Sequence, residues 1–398
     1  MIKEIKYCKK CVMPSSSAIP LEFDEHNVCS GCSTSNQRND VDWERRKKQL
    51  QRLLDKYRSL DGSNYDCIIP VSGGKDSYFQ VHLIKNVLKM NPLLVTYNAN
   101  NWTKTGYENL HNMRDVFGCD HIFFTPSVKL LKKMNRIGFK MTGDMNWHGH
   151  SGIFTYPFIV AVEKNIPLIF YGEHGFMDIG GMHSYSDYVE FTQRHRLEHC
   201  LRGYDWQDFL NHEDDLIEEK KLIGFKFPSD EDIRRVGVRG IFISNYVPWS
   251  GNNNAKIAKQ YGFKENDEEF DRTYRKISNL DDMHENGIHD YMKYIKFGYG
   301  RATDHVTKDI RDGSLTREEG VNIVLKRDHI KSSDLKRWLE YVEMTENEFD
   351  EIADTFRDSR VWWIENGKWY RHSITGEKVY HEKVKLPKNK WYNFKNEA

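Results

Sequence analysis

Two groups of residues in this sequence have types and spacing that can do chemistry. Cys8-Lys9-Lys10-Cys11 and Cys29-Ser30-Gly31-Cys32 are paired Cys-x-x-Cys turns. Each turn puts two thiolates on one side of a tight knuckle, and two knuckles complete a closed tetrahedral Zn²⁺ site, which is structural because it leaves no open position. Redox use of one pair is the rival, but neither pair opens a helix after a strand. The second group is Ser72-Gly73-Gly74-Lys75-Asp76-Ser77. Adjacent glycines let a backbone turn sharply beside a ligand, and the first N–H groups of a following helix point at an anion, for which phosphate is the natural candidate.

The elements around that loop are the ones it needs. Apolar Tyr65 to Val71 reads as a buried strand, and Tyr78 to Lys89, with Val81, Ile84 and Leu88 at helical spacing, reads as a helix. The spacing is not that of a Walker A loop and lacks the second glycine of a dinucleotide fingerprint. It resembles the PP-loop of ATP pyrophosphatases, which implies binding of ATP through its β,γ-pyrophosphate. Strand and helix then alternate. Leu93 to Tyr97 and His121 to Phe124 read as strands, with helices over Tyr107 to Phe117 and Val128 to about Met141. The alternation predicts an α/β fold with a doubly wound parallel sheet and a ligand crevice at the strands' C-terminal ends. Asn98 would then lie beside an adenine. Trp147 to Gly152 precedes a helical run over Ile153 to Asn165, and the strand Ile166 to Tyr171 ends in Gly172-Glu173. His148 and His150 are read either as loop residues satisfying their own backbone or as substrate contacts at that mouth. Glu173 is the stronger candidate, since a strand-end carboxylate beside a nucleotide can hold Mg²⁺ or a ribose hydroxyl.

The chain divides into a knuckle (1–40), the ATP-binding domain (41–250), a mainly helical substrate region (251–360) and an aromatic tail (361–398) expected to form hairpins. The tail's aromatics are expected to pack against the body rather than on a sugar. The helical region carries Lys296, Arg301, Arg311 and Arg317, the first two beside glycines. They read either as a solvated face or as a site for phosphate or a sugar carboxylate, to which guanidinium forks pair well.

The composition excludes some classes. The 398 residues carry 59 basic and 59 acidic side chains, which argues against a general nucleic-acid surface. No apolar run reaches membrane-spanning length and no signal-peptide pattern opens the sequence, so a cytoplasmic protein with no membrane partner is expected.

The tetracysteine knuckle with Cys11-Val12-Met13-Pro14, the Ser72 to Ser77 loop, Ile166-Pro167-Leu168-Ile169 leading to Gly172-Glu173, and Lys296-Phe297-Gly298-Tyr299-Gly300-Arg301 with Asp309-Ile310-Arg311 and Thr316-Arg317-Glu318-Glu319 together resemble the N-acetyl sugar amidotransferase family of WbpG and PseA type. The resemblance covers about residues 5 to 357. It implies conversion of an acetamido group on a nucleotide-activated sugar to an acetamidino group, in bacterial surface polysaccharide or nonulosonic acid synthesis. Amide oxygen would attack ATP at its α-phosphorus and ammonia would then displace AMP. Ser72, Gly73, Gly74 and Ser77 would hold pyrophosphate, Lys75 would neutralise charge, Asp76 would hold Mg²⁺ or orient the loop, Gly172 would border the nucleotide and Glu173 would support metal or ribose. Residue 2 is Ile2, and Cys67, Cys119 and Cys200 lack the setting of a glutaminase nucleophile. Ammonia is therefore expected from separate subunits similar to the glutaminase and cyclase of imidazole glycerol phosphate synthase. The alternatives are a tRNA-thiolating PP-loop enzyme and a nucleotide-binding scaffold without turnover.

Overall fold

The computed structural model describes residues 5–212, 215–278 and 283–394. The first four residues of the expected knuckle, Ile2 among them, and the last four of the expected tail lie outside these. Six strands form the central sheet: β1 (Cys67–Pro70), β2 (Pro92–Tyr97), β3 (His121–Phe124), β4 (Leu168–Tyr171), β5 (Glu190–Phe191) and β6 (Arg239–Phe242). Their order is β3-β2-β1-β4-β6-β5. All pairings are parallel except β5 with β6, where Glu190 faces Ile241 and Phe191 faces Gly240. The α/β fold with a doubly wound parallel sheet is therefore as read from the sequence, with one short antiparallel edge strand added.

Side-chain alternation explains the layers. Cys67, Ile69, Leu94, Leu168, Phe170 and Ile241 enter one apolar core, while Ile68, Leu93, Val95, Ile169, Tyr171 and Phe242 enter another. Both faces are buried, which is why these strands are apolar throughout rather than alternating with polar residues. Helix α1 (Ser30–Gln37) starts directly after Cys29, so the second Cys-x-x-Cys pair does open a helix. The first core is closed by α2 (Trp43–Leu54), α3 (Lys75–Val81) and α4 (Lys104–Phe117), and α6 (Trp147–Lys164) covers the other face. Helix α6 begins at Trp147, so the residues expected to precede the helix are its first turns. The chain winds outward from β1 to β3, then returns through α5 (Val128–Thr142) and α6 to β4 on the other side of β1. This reversal opens a crevice between the C-terminal ends of β1 and β4.

The C-terminal part builds its own core. The helices Glu285–Phe297, Leu335–Val342 and Glu346–Thr355 pack with Trp362 and with Trp369 of a three-stranded antiparallel sheet, β7 (Trp363–Glu365), β8 (Lys368–His372) and β9 (Lys378–Lys383), Trp362 standing just before β7. Phe139 of α5 joins this core, stacking on Phe349 at 4.8 Å between ring centroids. The Arg357 guanidinium lies over Trp362 and Trp369 at 4.3 and 4.9 Å, so these rings are occupied by a cation inside the protein. Among the described residues no helix is long and apolar enough to cross a membrane.

Candidate active site and cysteine centre

The loop after β1 turns at Gly73, whose φ is +84°. A Cβ at Gly73 would also lie 2.8 Å from the Leu110 backbone of α4, so this glycine serves the turn and the helix packing and does not line the cavity. Ser72 N–H donates to Ser77 Oγ (3.0 Å) and Gly74 N–H to Ser72 Oγ (3.3 Å), which stiffens the loop. Gly74 caps α3 without a side-chain hydrogen bond, leaving the first N–H groups of that helix for an anion. Lys75 Nζ bonds Asp76 Oδ2 at 2.6 Å and Asn254 Nδ2 donates to Asp76 Oδ1 at 2.7 Å. Burial works to raise the Asp76 pKa, but Lys75 and the Asn254 hydrogen bond outweigh it and hold the carboxyl below its usual range.

A cavity of about 390 Å³ opens above this loop, lined by Ser72, Gly74, Lys75, Asp76 and Ser77 on one side, by Val95, Tyr97 and Trp102 on another, and by Gly172, Glu173, His150, His289 and Arg301 opposite. A smaller cavity of about 130 Å³ adjoins it, shares Lys75, Asp76, Glu173 and Arg301, and continues past Arg275, Lys308, Asp178 and Arg38. The charges are organised. Lys308 Nζ reaches Glu173 Oε1 (3.1 Å) and Asp178 Oδ2 (2.9 Å), and Arg301 Nε donates to Asp290 Oδ2 (2.7 Å). Burial, and then Arg275, Arg301, Lys308 and Lys75, keep His305 well below its ordinary pKa and neutral. Each of these four cations is also paired with a carboxylate, Lys75 with Asp76, Arg275 with Asp309, Arg301 with Asp290 and Lys308 with Glu173 and Asp178, so the cavity carries both signs of charge.

Several residues expected at the cavity stand elsewhere. Asn98 accepts from Trp102 Nε1 at 2.6 Å, so it fixes the indole that lines the cavity rather than lining it. His148 is buried with both ring nitrogens engaged, by Tyr97 Oη and Asn135 Nδ2 at 2.9 Å each. Lys296 Nζ bonds Thr142 O at 3.2 Å, and burial lowers it to about 8. Arg311, which also lines the smaller cavity, and Arg317 bond the cysteine segments. Arg311 donates from Nε to Cys32 Sγ and from Nη2 to Cys29 Sγ, both at 3.4 Å, and also bonds the carbonyls of Asp178 (2.8 Å) and Ile179 (3.0 Å). Arg317 Nε bonds the carbonyls of Cys8 and Cys11 at 3.2 and 3.1 Å.

The four cysteines are fully buried and grouped, with Sγ atoms of Cys8 and Cys32 3.9 Å apart and those of Cys11 and Cys29 3.7 Å apart. Four thiolates at about 2.3 Å from one tetrahedral ion would lie about 3.8 Å from one another. Donors to sulfur add to the fit: Cys11 and Cys29 N–H point at Cys8 Sγ, at 3.4 and 3.3 Å. The set suits Zn²⁺. Gly31 makes the docking possible, because a Cβ there would lie 2.1 Å from Ile179 O and 2.3 Å from Arg311 Nη2.

Lys308, Arg275, Trp102, His289 and Asp144 were not singled out from the sequence. Lys308 carried a signal, since Arg301, Asp304 and Lys308 share one face of the helix Arg301–Arg311 at i, i+3 and i+7.

Residues 268–380 match the family described as LPS biosynthesis protein WbpG-like, C-terminal domain. That stretch supplies Arg275, His289, Arg301 and Lys308, and it agrees with the family resemblance carried by the motifs. An uncharacterized protein of Methanocaldococcus jannaschii is 29% identical over 113 residues, spanning 28% of this chain and 40% of that protein's length. Among solved structures, NMN synthetase from Francisella tularensis is similar at 10% identity and a TM-score of 0.28, covering 56% of this chain and 93% of that one. An NH3-dependent NAD synthetase from Campylobacter jejuni is similar at 11% identity and 0.27, covering 57% and 100%.

Proposed function

We propose that this chain is an ATP-dependent, AMP-forming amidotransferase that converts the acetamido group of a nucleotide-activated sugar to an acetamidino group. The observation that carries the reading is a shared wall. The Ser72 to Ser77 loop and the WbpG-like region meet at one cavity, where Lys75, Asp76 and Glu173 face Arg301. An amide oxygen is a poor leaving group. Its attack on the α-phosphorus of ATP gives an adenylated imidate and pyrophosphate; ammonia then adds at the imidate carbon, loses a proton and expels AMP. In this reading Ser72, Gly74 and Ser77 cradle the pyrophosphate, Lys75, Arg301 and Lys308 offset its charge, and ionised Asp76 holds Mg²⁺ with support from Glu173. Tyr97 and Trp102 offer the adenine a flat apolar wall. The protein contributes position and field rather than a covalent intermediate.

The ammonia comes from a separate glutaminase with a cyclase-like subunit. In support, burial pushes the Cys67 and Cys119 thiols above their usual range and Cys200 to about 12, the opposite of an activated nucleophile. The test is AMP and pyrophosphate release with ATP, Mg²⁺, an ammonium salt and a panel of nucleotide-activated acetamido sugars. AMP formed with one sugar only, matched by a product lighter by the difference between O and NH, is the expected result. ADP in place of AMP, or AMP formed only with tRNA and a sulfur donor, overturns the proposal.

A further inference from the structure

We propose that Asp144, His150 and His289 form a second metal centre on the wall of the large cavity, one that takes a first-row divalent ion such as Zn²⁺, Mn²⁺ or Fe²⁺ and leaves open positions facing the cavity. The three donors come from separate parts of the chain: Asp144 from the turn between α5 and α6, His150 from the start of α6, and His289 from the helix Glu285–Phe297. Their ligand atoms all lie within 4.8 Å of one another. Asp144 Oδ1 is hydrogen-bonded to His289 Nδ1 at 2.8 Å, a contact that an ion would replace, and Asp144 Oδ2 is 3.7 Å from His150 Nε2. Ligands about 2.0 to 2.1 Å from a tetrahedral ion would stand about 3.3 Å apart, between these two values.

His150 supplies the independent observation. Its Nε2 is buried and has no hydrogen-bond partner among the described residues. The 3.7 Å to Asp144 is too long for a hydrogen bond and suited to two ligands of one ion. A buried ring nitrogen without a partner needs an explanation, and an ion between it and the carboxylate provides one. Asp144 is almost entirely buried (2% side-chain exposure) and is held in place by Arg202 Nη1 on Oδ2 at 2.9 Å and by Asn146 N–H on Oδ1 at 3.0 Å. Such outer contacts orient a metal-binding carboxylate. Two imidazoles and one carboxylate select first-row transition ions over Mg²⁺, and three protein ligands leave positions for another molecule. His150 and His289 both line the cavity that holds the Ser72 to Ser77 loop, so an oxygen of the acceptor or a water fills the open side. The site does not depend on the reaction proposed above and is separate from the cysteine centre.

Full-length protein loaded with Co²⁺ under reducing conditions tests it. A second ion per chain is expected, one ion giving the intense near-ultraviolet absorption of thiolate ligation and the other only weak visible bands. The double variant His150→Ala, His289→Ala should lose the second ion and keep the thiolate band, which also reports that it folds. A single ion in the wild type, or a second ion retained by the double variant, overturns the proposal. If the double variant loses the thiolate band as well, X-ray absorption of the wild-type zinc protein decides: sulfur ligands alone refute the site, and a mixture with nitrogen and oxygen supports it.

Discussion

Replacing Arg311 by methionine separates two assignments for this side chain, a sugar contact as read from the sequence and a support of the cysteine centre as placed in the fold. Methionine keeps most of the length and removes the charge together with four hydrogen bonds, two to sulfur at 3.4 Å and two to carbonyls at 2.8 and 3.0 Å. A full charge-assisted hydrogen bond contributes about 1.5 to 3 kcal/mol, but 3.4 Å is long and the four share one guanidinium. Removal of a group that hydrogen-bonds a metal ligand weakens metal affinity about 10- to 100-fold, or about 1.4 to 2.7 kcal/mol. Arg311→Met should therefore bind Zn²⁺ within that range more weakly in competition with a chromophoric chelator, while the KM for the acceptor sugar of the proposed reaction stays near wild type. Arg317→Met, which loses only bonds to the carbonyls of Cys8 and Cys11, should show a smaller effect. Unchanged zinc affinity in Arg311→Met together with a raised KM would refute the assignment.

Two further outcomes concern titration. Burial opposes ionisation of Asp178, yet Lys308 and Arg38 hold its carboxyl down to about 2. A depressed acid stabilises the fold above its unfolded pKa and loses that contribution as pH falls toward the folded value, so the window runs from about 4 down to about 2. Lys308→Met should cost about 2 kcal/mol in urea unfolding at pH 7, with the gap from wild type narrowing below pH 4; a constant gap would show that the Asp178 pair is not its source. Glu285 is shifted the other way, burial raising it to about 7. A raised acid stabilises below its unfolded value near 4.5 and loses the contribution as pH rises through 7. Glu285→Gln should therefore gain about 2 to 3 kcal/mol over wild type at pH 8 and almost nothing at pH 4; equal pH profiles would contradict this.

What the sequence disclosed depended on how local the information was. The knuckle and the loop are contiguous motifs in which residue type and spacing carry the chemistry, so both were readable. Helix α6 was read as starting late because Gly149 and Gly152 disfavour helix and only burial against the sheet decides otherwise. Strand β5 has two residues and exists through its pairing with Ile241 and Gly240, a partner no local pattern announces. The positive charges of Arg311 and Arg317 were noticed, but a guanidinium suits carbonyl oxygen and thiolate as well as phosphate. Their partners are set by where distant segments meet. Asp144, His150 and His289 fall under the same limit, since their grouping requires the first turns of α6 to meet a helix that begins at Glu285, where the His150 and His289 rings stand 5.3 Å apart.

The bonds from Arg311 to the knuckle also bear on the order of events during synthesis. Cys29 and Arg311 are 282 residues apart. At about 5 to 20 residues per second, the thiols leave the ribosome roughly 15 to 55 s before the guanidinium that will face them. An ion bound by the nascent knuckle would therefore be held without the Arg311 contacts until that later segment folds. Arg311 then acts as a late latch, fastening the cysteine centre to the segment after β4. Metal starvation during translation would strand the cysteines in their most oxidisable form, whereas removal of metal from the finished protein would meet a closed latch.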